Sequence, residues 1–225
     1  MFLIALGREP MRHRSLWGTA GLFPGTYSLA AGTATSGSLT DWVRSLTGAE
    51  FEILFSEAER VPAGARGLLV LPYFAGERTP LFDPQARGVI AGLSLHHDRA
   101  DLYRAVLEAT AFAVRHNLDA MHEAGARIER LVAVGGGTRG QLWMKIVSAA
   151  AGVVQQVPTE TVGAAYGDAA LAAYAMGIEN DDWNPIATTI QPDASWQAAY
   201  DRLYPHYLKL YRETRDTVHA LAQGG

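Results

Sequence analysis

The sequence predicts an α/β fold. Two observations carry this reading: short apolar or β-branched runs bounded by glycine or proline, and longer stretches between them whose apolar residues recur at helical spacing. Leu68 to Leu71, Leu131 to Val134 and Val153 to Val157 are runs of the first kind and read as buried strands.

Taken in order, Phe2 to Leu6 reads as a strand that begins abruptly at the chain start, and Tyr27 to Thr33 as a weaker one. HDRADLYRAVLEATAFAVRHNLDAMHEAG places Leu102, Val106, Ala109, Phe112, Ala113, Ala120 and Met121 on one stripe. It predicts a long amphipathic helix, capped by Asp98 with Asp101 three residues on and ended by Gly125. A second helix is predicted over about Gln141 to Ala151. An Ala-rich third runs from about Val162 to Met176, closed by Gly177, with small residues suited to packing against a sheet. Asn180 to Asp193, NDDWNPIATTIQPD, has turn chemistry and predicts a surface connection in which Asp181 and Asp182 suit a solvated acidic turn ahead of a cation site. The last stretch sets Tyr200, Leu203, Tyr207, Leu210, Tyr211, Thr214, Val218 and Leu221 at helical spacing, with Pro205 as an expected kink and the tyrosines as packing residues. Without repeats or low-complexity linkers, residues 1–225 read as one domain.

Composition narrows the function classes. The 225 residues, 48% hydrophobic and 19% charged, suffice for a full core. The net charge of -4 and the lack of a basic block leave nucleic acid no electrostatic footprint. No apolar run approaches the roughly 20 residues that span a bilayer, so no membrane role is expected. The absence of cysteine excludes disulfides, thiolate metal sites and cysteine nucleophiles, and fits a cytoplasmic protein.

LVAVGGGTRGQLW, Leu131 to Trp143, leads a strand through glycines into a helix, and Gly135, Gly137 and Gly140 satisfy G-x-G-x-x-G with Glu160 where a dinucleotide fold would place its ribose acid. As an isolated motif it suits equally a tight turn that binds nothing. A dinucleotide domain needs more strands than the chain after Glu160 can supply, and it gives the patterned sequence upstream no role.

That upstream sequence is PYFAGERTPLFDPQARGVIAGLSLHHDRADLYRAVLEA, Pro72 to Ala109. It carries Gly88, Ile90, Gly92 and Leu93, then Asp101, Leu102, Ala105, Val106, Leu107 and Glu108. With GERTP at Gly76 to Pro80, GGGTRGQLWMKI at Gly135 to Ile146, GAAYGDAALAA at Gly163 to Ala173 and GTATSGSLTDW at Gly32 to Trp42, it closely resembles the C-terminal domain of the FGGY carbohydrate kinases. The resemblance covers essentially the whole chain and is greatest to the xylulokinase-type pentulose kinases.

The resemblance implies an actin-like, ribonuclease-H-like ATPase fold with a mixed sheet and flanking helices, and transfer of the ATP γ-phosphate to a sugar hydroxyl with Mg2+. It makes Gly37 and Asp41 candidate nucleotide contacts and sets Gly135, Gly136, Gly137 and Gly140 along the adenosine. The family pattern carries an amide where Asp41 stands, and a carboxylate near a triphosphate is repulsive unless magnesium or a donor intervenes. The family's catalytic aspartate and sugar contacts belong to an N-terminal domain, and its phosphate-holding Gly-Thr hairpin precedes a strand that resembles MFLIAL. On that alignment the chain lacks its first strand and is expected to be inactive alone. The alternative is a non-catalytic nucleotide-binding or split-kinase assembly module. An open sheet edge is expected to drive homodimerisation or aggregation.

No residue here is read as catalytic. Glu77 with Arg78 suits a structural ion pair or a loop anchor, Asp83 before Pro84 a turn, Glu108 a helix interior and Asp168 a helix start. The histidines form no metal-ligand spacing, and Ser36 and Ser38 sit in no hydrolase motif.

Overall fold

The computed structural model describes residues 1–178 and 183–223, so Asp181 and Asp182 lie outside the described residues. The chain opens with three antiparallel strands, β1 (Phe2–Gly7), β2 (Trp17–Ala20) and β3 (Tyr27–Gly32), ordered β1-β3-β2. Tyr27–Gly32, the weaker strand by composition, is therefore the central one, and its Leu29 and Ala31 are fully buried. β1 alternates: Leu3 and Ala5 pack on the core, whereas Phe2, Ile4 and Leu6 are 65%, 64% and 74% exposed. Among the described residues β1 pairs only with β3 and has an open edge.

Two helices follow, α1 (Gly37–Thr47) and α2 (Phe51–Glu59). Neither helix was predicted; the nine residues of the second give too few turns for a clear period. A two-stranded antiparallel ladder joins β4 (Leu69–Leu71) to β5 (Val89–Ala91) and leads into α3 (Arg99–Glu123). Asp98 caps α3 as expected, accepting from the Ala100 and Asp101 amides, and Asp101 returns the bond to the Asp98 amide. The expected amphipathic stripe is corrected. α3 is buried around most of its circumference because it passes between two cores, with Tyr103 to Phe112 in one and Val114 to Met121 in the other.

The remaining elements are β6 (Arg130–Val132), α4 (Gln141–Ala151), β7 (Val154–Pro158), α5 (Ala164–Ala175), β8 (Ile186–Ile190) and α6 (Ala194–Ala222). β6 and β7 are parallel and β8 joins β7 antiparallel, giving a mixed sheet with helices beside it. Two expectations are overturned here. IATTI is a strand and not a surface connection, since its backbone extends along β7 although its side chains are mostly exposed. The Ala-rich α5 has no buried residue, so its small side chains are not used in close packing on the sheet. α6 continues through Pro205 as one helix and buries Tyr200, Tyr204 and Tyr207 against α3 and β4 residues. None of the described helices is long and apolar enough to cross a membrane.

Candidate functional site

The site is built outward from the loop between β3 and α1. GERTP anchors it: Thr79 Oγ1 accepts from the Gly32 amide at 2.8 Å and donates to Asn117 Oδ1 at 2.7 Å. Glu77 Oε1 accepts from the Ala34 amide at 2.9 Å and the Arg78 amide at 2.7 Å. Thr35 Oγ1 donates to the Pro72 carbonyl. Burial pushes the Glu77 carboxyl up to about 7, against the pull of those two amides. Arg78 forms no ion pair with Glu77; its guanidinium lies over the Phe2 ring, 5.8 Å from the centroid. The result is a rigid lead-in to α1, whose N-cap Ser36 makes no side-chain cap bond.

The glycine turn faces this helix start. Gly135 takes φ +91°, a left-handed conformation that favours glycine, and its amide donates to the Thr161 carbonyl at 2.7 Å. Residues Gly136–Arg139 form one 3-10 turn, and Gly140 caps α4 without a side-chain bond. A Cβ at Gly137 would lie 3.3 Å from the Trp143 ring, and one at Gly140 would lie 2.9 Å from the Phe55 ring. At Gly136, as at Gly37, a Cβ would meet nothing within 4 Å, and neither residue has a positive φ.

Between the two helix starts lies a cleft of 970 Å³. Gly37, Gly136, Gly137 and Gly140 all line it, so four of the six residues singled out in the sequence come together across the cleft. Gly135 shapes the turn from behind. Asp41 is outside the lining, and its Oδ1 accepts from Arg44 Nε at 2.9 Å on the exposed side of α1.

The rest of the wall was not foreseen. Phe51 and Phe55 come from α2, Tyr103 from α3 and Trp143 from α4. Phe55 and Tyr103 meet edge to face at 5.3 Å, and Trp143 Nε1 donates to Thr110 Oγ1 at 2.8 Å. The Trp143 signal lay within GGGTRGQLW, whereas the Phe51 and Phe55 signal would have required recognising α2. Glu52, Glu59 and Arg139 are the charged residues on the lining. The cleft is thus an aromatic slot with a glycine backbone on two sides, a shape suited to a flat base whose attached groups run toward exposed amides.

The buried carboxylates are all occupied. Glu108 Oε1 accepts from Arg104 Nε at 2.7 Å, the Gly64 amide at 2.9 Å and Tyr200 Oη at 3.0 Å; burial raises its carboxyl, and the Arg104 guanidinium opposes that rise. Asp83 Oδ2 is bonded by Tyr211 Oη at 2.8 Å and faces His219 Nε2 at 2.7 Å. Among the described residues, no group of three or more His, Asp or Glu side chains is arranged to hold a metal ion.

Comparison with known proteins agrees with this architecture. Residues 1–176 match the model of the FGGY family of carbohydrate kinases, C-terminal domain. The xylulose kinase of Escherichia coli K12 is 32% identical over 199 residues, covering 84% of this chain and 41% of that protein. The xylulose kinase of Klebsiella pneumoniae is 35% identical over 190 residues, covering 81% and 38%. The crystal structure of xylulose kinase from Rhodospirillum rubrum superposes with a TM-score of 0.85 at 33% identity, over 97% of this chain and 46% of that one. The structure of the Brucella ovis enzyme gives a TM-score of 0.87 at 34% identity. The chain thus spans less than half the length of these relatives. It has the FGGY actin-like ATPase fold, and it belongs to the FGGY family of carbohydrate kinases.

Proposed function

We propose that residues 1–225 are the nucleotide-binding C-terminal domain of a carbohydrate kinase that transfers the ATP γ-phosphate to a sugar hydroxyl, the sugar being a pentulose such as xylulose. The observation that carries this reading is the pair Gly37 and Gly136. Neither needs to be glycine for its backbone angle or for packing, and both bare their backbone on the same cleft. Two uncapped helix starts, of α1 and α4, add amides and the positive ends of their dipoles.

In the proposed complex the base and ribose lie along Gly136, Gly137 and Gly140, Gly135 holds the turn, and the phosphates run toward Gly37. Asp41 sits at the rim, its charge balanced by Arg44. Mg2+ would arrive on the triphosphate and neutralise the transferring oxygens. Glu77, Asp83 and Glu108 are already held by structural partners, so none of the three is free to accept the sugar hydroxyl proton; the base and the sugar pocket belong, in this reading, to another part of the kinase. The open β1 edge with Phe2, Ile4 and Leu6 supports a second part of the reading, that the isolated chain self-associates.

Calorimetry with Mg-ATP and a coupled ADP-release assay over a panel of ketoses test this. Saturable ATP binding without sugar-dependent turnover is expected. Robust turnover by the 225-residue chain alone would refute incompleteness, and absence of ATP binding would remove the nucleotide role. The same occupied carboxylates favour one further reading, a split-kinase module: turnover restored by an added N-terminal-domain partner would select it.

A further inference from the structure

A second cavity, of 570 Å³, opens beside the nucleotide cleft and meets it at Glu59 and Gln141, which line both. Its walls come from α4, β8 and the start of α6, and they are locked from the protein side. The buried Gln155 donates through Nε2 to the Met144 carbonyl of α4 at 2.6 Å. The buried Ser148 hydroxyl donates to the Val153 carbonyl at 2.7 Å and lies 3.3 Å from the Ile190 carbonyl of β8. Asp193 Oδ1 fixes the start of α6 by accepting from the Ser195 and Trp196 amides at 2.8 and 3.0 Å. The Arg104 guanidinium lies over the Trp196 ring, 4.3 Å from its centroid, and holds the indole in place. The polar groups that line the cavity are by contrast unbonded: among the described residues the side chains of Gln141, Lys145, Thr188, Thr189 and Gln191 have no protein partner, and all five residues are exposed. Fixed walls with open polar groups are the construction of a ligand site.

We propose that this second cavity binds a neutral ring sugar, at a place apart from the sugar that is phosphorylated. Its hydroxyls, carboxamides, single ammonium and two carboxylates together donate and accept, which is what the hydroxyls of a sugar require. The half-buried Trp196 indole, with Ile190 and Val157, gives an apolar surface for the C–H face of a ring. An anion is disfavoured, because Glu59 and Asp193 outnumber Lys145. A bare metal ion is disfavoured too, since among the described residues no three His, Asp or Glu side chains are arranged to hold one. The inference uses none of the cleft glycines, and it rests on the reading above only in placing the substrate pocket elsewhere.

The test is titration of the 225-residue chain with xylose, ribose and glucose, read by tryptophan fluorescence and calorimetry, with xylitol as the open-chain control and inorganic phosphate as the anionic one. At least one of the ring sugars is expected to bind saturably and more tightly than xylitol, with no competition from phosphate. Lys145→Ala and Gln191→Ala change exposed residues, so both variants should melt at the wild-type temperature. Each should bind that sugar about five- to tenfold more weakly, the scale of one hydrogen bond. No saturable binding of any ring sugar up to tens of millimolar, xylitol bound as tightly, competition by phosphate, or wild-type affinity in both variants would each overturn the proposal. A chain that binds Mg-ATP and no sugar loses the second site and keeps the nucleotide reading, whereas one that binds sugar and no Mg-ATP does the reverse.

Discussion

The starts of α3 and α6 differ from those of α1, α2 and α4. Asp98 and Asp193 each accept from two first-turn amides, so the two long helices begin fully capped. α1, α2 and α4 begin with no side-chain cap, and residues of all three first turns line the cleft. The interiors follow the same division. The α3–α6 side pairs nearly every buried polar group, while the cleft side keeps open glycines. α5 also starts without a side-chain cap but away from the cleft, so the bare starts of α1, α2 and α4 are set apart by lying along the cleft, where their first-turn amides are left without side-chain partners.

Four measurements would break or sharpen this division. The largest effect is expected from Glu108→Ala, which strands the fully buried Arg104 guanidinium and should lower the unfolding free energy by about 3–5 kcal/mol in denaturant titration. Next is a pH effect in which each region contributes one group. Burial pushes Glu77, on the cleft side, up to about 7, and pushes His116, on α3, down to about 4. The Glu77 contribution is full below the unfolded carboxyl value and is lost as pH rises through about 7. The His116 contribution is full above the unfolded imidazole value and is lost as pH falls through about 4. Their slopes oppose each other between roughly pH 4.5 and 6.5. Glu77→Gln should therefore unmask a stability that rises with pH across that window, at up to about 1.4 kcal/mol per pH unit. A slope equal to that of wild type would show that the two regions do not titrate as described.

Asp98→Ala should cost about 1–2 kcal/mol of stability and leave the ATP dissociation constant unchanged. If ATP binding weakens in step, capped and bare starts are not functionally separate. The smallest stability change is expected from Gly136→Ala, within about 0.5 kcal/mol, because the added methyl meets open space. The same methyl should weaken ATP binding about tenfold, close to 1.4 kcal/mol. Full affinity in this variant would remove the observation on which the proposed function rests.

Much of the fold was legible, and the misses have physical causes. Three of the five foreseen strands were read from bounding glycines or prolines, and the Asp98 cap and the Gly125 and Gly177 ends use local chemistry that any reading of neighbours can find. β8 was hidden because its threonines and isoleucines are mostly exposed and flanked by prolines, so it shows no buried run. The all-round burial of α3 was hidden because its polar residues Arg104, Glu108 and Asn117 are buried with partners, and sequence counts them as a solvated face. Of the site, the glycines were legible as glycines. Which of them serve packing, which serve backbone angle and which are left open depended on Trp143 and Phe55, whose rings only the fold brings near.

By itself the sequence determined the α/β class, the family and the glycine-rich segments that face the cleft, because these are carried by periodicity and by motifs contiguous in the chain. The tertiary structure alone decided that Gly37 and Gly136 share one cleft, that Asp41 turns to Arg44, and that Lys145, Gln191 and Trp196 line a second cavity beside it. Whether a polar group has a partner depends on what surrounds it in space, and residues distant in the chain supply those surroundings.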